Sequence, residues 1–251
     1  MSPLGTGLTV LVCTFGGALA GMWLRRLLPP QHVDAYSSGT VKIGIGLIAT
    51  MTALVLGLVT GSAKTSFDAT NKAVRDVASD LLTLDRTLAR YGPDTDETRA
   101  LLRTLLKARL DAIWPPDGGA PNLDIADVRS AETIATQIQT LAPQTEEQRW
   151  LRTRAANLVE TVLEARWLTP SAGATTVLGP FLAALLFWLT VTFMSFGLFA
   201  PRNLTVIGTL FVCALSVAGA VFLVLEMDGP FEGLVRVSPE SLRYALAQMG
   251  R

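Results

Sequence analysis

Histidine is almost missing from this chain: His32 is the only one. Histidine pairs, Ser–His and Cys–His catalytic arrangements and His-based metal sites therefore have no second member to draw on. Cysteine is nearly as scarce. Cys13 and Cys213 both lie inside apolar runs, which reads as small packing residues rather than a disulfide framework. No P-loop, dinucleotide fingerprint or C-x-x-C occurs. An excess of either charge is also absent, with 21 basic against 21 acidic side chains, so nothing favours a nucleic-acid partner. The expectation is a protein that is not an enzyme and holds no metal or cofactor.

Half of the 251 residues are apolar, and their distribution is more telling than their number. Arg25, Arg26, Lys42 and Arg202 are the only cations before Lys64 or between Arg166 and Arg236. The gaps between charge blocks are long enough to cross a bilayer core, which takes about 20 helical residues. Four spans result: about Leu8 to Leu24, Val41 to about Ala63, Ala174 to Ala200, and Leu204 to Leu225. No Lys or Arg precedes the first, so it reads as a span rather than a signal peptide. Pro29-Pro30 ends the first helix, and Pro201-Arg202-Asn203 makes the turn of a hairpin between the last two. Pro180 falls inside the third span, while Gly17 and Gly21 form a G-x-x-x-G pair in the first.

The polar segment between the second and third spans is helical. Phe67, Val74, Val77, Leu81, Leu84, Leu88 and Tyr91 recur at helical spacing. No breaker separates them from the second span, so Val41 to Tyr91 reads as one helix of about 75 Å. Gly92-Pro93 stops it, and Asp94 with Glu97 reads as a capping box. Further amphipathic patterns follow through Leu102, Leu106 and Ile113, then Ile134 and Ile138. The last runs from Thr145 through Leu151 and Leu158 to Trp167. Ser238-Pro239 opens a short C-terminal helix, and Phe231 before it reads as an interfacial anchor. The predicted fold is all-α. Residues 1–63 carry two spans, 64–170 a helical extramembrane domain, 171–227 two more spans, and 228–251 an amphipathic C-terminal segment.

Five stretches carry a resemblance. They are Leu28-Pro29 through His32, GLIATMTALVLGLVTGSAKTSFD from Gly46, and LDRTLARYGPDTDETRALL from Leu84. FGLFAPRNLT from Phe196 and LEMDGPFEGLVRVSPESLR from Leu225 complete the set. In order along nearly the whole chain, they resemble the bestrophin-like family of bacterial multi-pass membrane proteins. The resemblance implies a homo-oligomer, a pentamer as in bestrophins proper, with the second span lining a path for small ions. It also implies an inner-membrane location with the central domain and both termini cytoplasmic. The aromatic-rich neck and calcium-binding acidic cluster of animal bestrophins have no counterpart here. The positive-inside count gives a weak bias to the opposite orientation. Arg25, Arg26, Lys42 and Arg202 flank the short loops, against Lys64, Lys72, Arg75, Arg166 and Arg236 near membrane ends on the domain side.

The second span carries the candidate site. Thr50, Ala53, Gly57, Thr60, Lys64 and Asp68 fall on one stripe, continuing from Gly46, while Leu47, Ile48, Met51, Leu54, Val55, Leu58 and Val59 lie opposite. Two readings fit. The stripe can line a water-filled path in which hydroxyls solvate an ion and a ring of Lys64 selects anions. It can equally be a packing seam, with the threonines bonded to their own helix and Lys64 snorkelling. Glu226 and Asp228 at the end of the fourth span suit a cation site, ion-coupled transport or a solvated helix end. A non-conducting scaffold or sensor whose helical domain binds a partner is the alternative function.

Overall fold

The computed structural model describes residues 3–27, 35–116, 119, 121–122, 128–164, 175–231 and 233–250. Pro29, Pro30, His32 and Trp167 lie outside them. Among the described residues every regular element is helical: α1 (Pro3–Leu24), α2 (Ala35–Tyr91), a 3-10 turn (Pro93–Thr95), α3 (Asp96–Ile113), α4 (Val128–Thr140), α5 (Glu146–Glu164), α6 (Thr175–Phe199), α7 (Leu204–Asp228) and α8 (Glu240–Gln248). The chain divides into two compact units. One comprises Met1–Ser66, Ala172–Gly229 and Gly233–Val235; the other comprises Phe67–Ser171, Pro230–Glu232 and Arg236–Arg251.

The first unit contains helices long and apolar enough to cross a membrane: α1, the apolar part of α2, Gly179–Phe199 of α6, and α7. Lipid offers little hydrophobic drive for helices to associate, so close backbone packing must hold them. Glycine supplies it. A Cβ added at Gly17 would lie 2.9 Å from the Thr190 carbonyl oxygen. One at Gly21 would fall inside the Met194 carbonyl, and one at Gly197 inside that of Ala18. The G-x-x-x-G pair of α1 is thus a contact seam, and Gly197 of α6 is its complement. Val10, Leu185, Leu189, Ala218 and Val221 fill the interior shared by α1, α6 and α7. The buried Thr14 hydroxyl donates to the Val10 carbonyl at 2.7 Å, so its proton is satisfied within the helix. At the hairpin, Asn203 Oδ1 accepts the Val206 amide at 2.9 Å and caps α7.

Helix α2 behaves differently. Its 57 residues run unbroken through Gly57 and Gly61, about 85 Å of helix. Only 6% of its most apolar window is buried, against 39% for α1. It has the highest exposure of the four spans, with Ile43, Leu47, Leu54 and Leu58 all more than 60% exposed.

The second unit has a soluble-type core. Val74, Val77, Leu81, Leu84 and Leu88 of α2 meet Leu102, Leu106, Leu110 and Ile113 of α3, Ile134 and Ile138 of α4, and Leu242 of α8. Burying each large aliphatic side chain contributes roughly 1.5–3 kcal/mol. Phe231, expected at the membrane interface, packs instead edge-on against Trp114, with ring centroids 5.7 Å apart. Trp114 Nε1 donates to the Val237 carbonyl at 3.0 Å, tying the end of α3 to the segment before α8. The Asp94–Glu97 capping box does not form. Gly92, at φ 129°, turns the chain so that the Thr95 hydroxyl donates to the Leu88 carbonyl at 2.6 Å, closing the end of α2. Thr145 does cap α5, accepting the Gln148 amide at 3.1 Å. Ser238 Oγ accepts the Glu240 amide at 3.3 Å at the start of α8.

Candidate functional site

Within the first unit α2 has three faces where the sequence pattern separates two. A third face carries buried Thr52 and Ala63 and half-buried Val55 and Leu56; Val55, expected on the apolar face, packs with Leu56 against the Val10–Val221 interior instead. This face lies on the flank between the small, polar stripe and the apolar face. Both of those remain exposed: Thr50, Ala53, Gly57, Thr60 and Lys64 on one side, Leu47, Met51, Leu54 and Leu58 on the other. Asp68, at the start of the second unit, is exposed as well. Hydropathy could not reveal the packed flank, because it mixes a threonine and an alanine with β-branched and aliphatic residues.

The hydroxyls of the stripe are oriented. Thr50 Oγ1 donates to the Gly46 carbonyl at 2.9 Å, and Thr60 Oγ1 to that of Leu56 at 2.7 Å. A hydroxyl has one proton and two lone pairs, so each threonine presents oxygen acceptors outward while its proton stays on the helix. Such groups solvate a cation directly. An anion would find its favourable partner at Lys64, the cation on the stripe immediately beyond the Ala63 end of the span. The glycines keep the surface low: a Cβ at Gly46, Gly57 or Gly61 would meet nothing within 4 Å.

Glu226 and Asp228 are not alike. Glu226 is 4% exposed, and its Oε2 accepts the Leu234 amide and, at 3.2 Å, that of Val235. A carboxylate that accepts two amides is a strong, charge-assisted clasp on the turn following α7. Gly233 makes the turn possible with φ 78° and no Cβ, since one would collide with the Glu226 carboxylate. Asp228 is half-buried. The signal for the clasp was present as a carboxylate at the end of an apolar span followed by Asp-Gly-Pro, but its acceptor role depends on amides eight and nine residues onward.

Among the described residues no group of three or more His, Cys, Asp or Glu is arranged to hold a metal ion. A family model described as Bestrophin-like domain matches residues 12–242. No curated protein and no solved structure matches the chain.

Proposed function

Because the chain belongs to the bestrophin-like family, we propose that it assembles as a homo-oligomer whose α2 helices surround a passive path for small ions. The observation that carries this reading is the exposure of the Thr50–Lys64 stripe on a helix whose adjacent flank is packed. An exposed polar stripe in a span is poorly suited to lipid, and symmetry-related copies of α2 can cover it while leaving an aqueous axis. Lys64 then forms a ring of positive charge and favours anions. No catalytic step belongs to this reading. The family analogy suggests five subunits, a bacterial inner-membrane location, and a cytoplasmic second unit and termini.

The test is access. In a chain with Cys13 and Cys213 replaced by alanine, Thr60→Cys should react with a small water-soluble thiol reagent and lose conductance in a planar bilayer. Val55→Cys, on the packed flank, should stay inert. Current that persists while Thr60→Cys remains unreactive moves the path elsewhere. Absence of current across voltages, ions and pH supports the scaffold reading instead.

A further inference from the structure

Four cations gather at the short-loop end of the first unit. Arg25 Nη1 donates to the Ala200 carbonyl at 2.8 Å, and Arg202 Nη2 donates to the Met22 carbonyl. These bonds hold two guanidiniums at the C-terminal ends of α6 and α1. Arg202 feels Arg26 and Arg25 strongly enough that, after loss of water, their repulsion also lowers its pKa. Lys42 of α2 sits over the Phe199 ring of α6, its Nζ 5.4 Å from the centroid. Among the described residues none of the four is paired with a carboxylate. The two short loops and their flanks hold these four cations against one acid, Asp34, which lies outside the described residues.

Below this cluster lies a groove of about 400 Å³ between α2 and α6. Its lining is mostly apolar, with Ile45, Ala49, Phe196, Phe199 and Leu210, and includes Gly46, Ala200, Ser195 and Lys42. We propose that this is a binding site for an anionic phospholipid, its phosphate held by Arg25, Arg26, Arg202 and Lys42 and one acyl chain lying in the groove. Capping of helix ends by arginine explains the two carbonyl contacts. It does not explain three like charges converging with Lys42 at the mouth of an apolar slot. Each guanidinium has five donors in a planar fork suited to phosphate, and the two bonds to carbonyls use one donor apiece. The occupant is fixed by complementarity at both ends: a net-positive mouth needs an anion, and an apolar groove inside a bilayer needs a chain. The inference rests on the membrane assignment. Because Gly46 belongs to the stripe as well as to the groove, the readouts are lipid retention and thermal midpoint rather than conduction.

The full-length protein in mild detergent provides the test. Phosphatidylglycerol should raise the thermal midpoint and be retained in native mass spectrometry in preference to phosphatidylcholine. Inorganic phosphate alone should do neither. Each basic residue near an anionic lipid contributes about fivefold in affinity, so the double variant Lys42→Gln/Arg26→Gln should weaken phosphatidylglycerol retention roughly 25-fold. Its midpoint without lipid should change little, because the Arg25 and Arg202 carbonyl bonds remain, and loss of the exposed Lys42–Phe199 contact is opposed by relief of the Arg26–Arg202 repulsion. Gly46→Leu, which fills open space at the groove, should reduce retention with all four cations intact. Equal retention of the two lipids overturns the proposal, as does a preference that survives Lys42→Gln/Arg26→Gln. A midpoint shift from phosphate equal to that from phosphatidylglycerol would show an anion site without a lipid and overturn it too.

Discussion

Arg99 and Asp85 form a two-pronged ion pair in the interior of the second unit: Nε donates to Oδ1 at 2.9 Å and Nη2 to Oδ2 at 3.3 Å. The Asp85 side chain is 4% exposed and that of Arg99 18%. The Gly250 amide also reaches Asp85 Oδ2, at 3.4 Å, so the pair ties α2, α3 and the chain end together.

Removing one partner leaves the other charge poorly solvated. Asp85→Ala should destabilise the protein by about 3 kcal/mol, read as a lower thermal midpoint, and should loosen the C-terminal residues in hydrogen exchange. Arg99→Lys should cost less, since the charge remains while the fork is lost. The hydrogen bond to Asp85 raises the pKa of Arg99. A raised pKa stabilises below the unfolded value, which for arginine is above about 12. The guanidinium's contribution should therefore be constant over the working pH range.

Tyr91 presents the reverse situation. Its hydroxyl is buried with no hydrogen-bond partner among the described residues. Tyr91→Phe removes an unmet polar group and should leave stability unchanged or raise it by about 1 kcal/mol. Burial pushes the phenol's pKa up, Asp94 adds to this and Arg152 opposes it. Stability linked to a raised pKa is complete below the unfolded value of about 10 and is lost as pH rises through the folded one. Thermal midpoints between pH 9 and 11 should fall more steeply for the wild type than for Tyr91→Phe.

The α1–α6 seam makes a paired prediction. Gly197→Ala places a methyl inside the Ala18 carbonyl and should cost about 1–3 kcal/mol through forced helix separation. Gly16→Ala, on α1 with nothing within 4 Å, should be neutral or stabilising. Equal effects of the two on the thermal midpoint would mean that the seam is not under close contact.

Lys64→Glu tests the electrostatics of the stripe. Reversing a ring of charge in a channel should shift the reversal potential under a salt gradient from the anion side towards the cation side. An unchanged reversal potential in a conducting preparation removes Lys64 from the selectivity mechanism.

Glu226→Gln keeps the size of the side chain but replaces a charged acceptor by a neutral one. The turn from Gly229 to Val235 should become more susceptible to protease, with a stability loss of about 1–2 kcal/mol. Unaltered cleavage would mean that Gly233 and the flanking packing hold the turn without the carboxylate.

Much of this architecture was legible from spacing alone. Charge-free runs marked the spans, and the repeat from Phe67 to Leu88 marked both the continuity of α2 and the core of the second unit. What escaped was decided by partners far along the chain. Asp85 sits between Leu84 and Leu88, and nothing in its spacing announces Arg99 and Gly250 as its partners. Phe231 reads as an interfacial anchor until Trp114 receives it. Capping behaved the same way, because Thr95 found the end of α2 before Asp94 could cap α3. The stripe of α2 was legible in composition, but the face that α2 packs against its neighbours was not, since Thr52 and Ala63 carry no periodic signal of burial.

The glycine seam between α1 and α6 has a consequence for biosynthesis. Its halves lie far apart along the chain: α1 ends at Leu24 and α6 begins at Thr175. At about 5–20 residues per second, roughly 8–30 s of synthesis separate them. Throughout that interval the newly inserted α1 presents Gly17, Gly21 and the Thr14 face without their eventual neighbour. Nascent chains are therefore most exposed to membrane proteases and to wrong helix pairing before α6 is made, and truncations ending before α6 should be degraded rapidly.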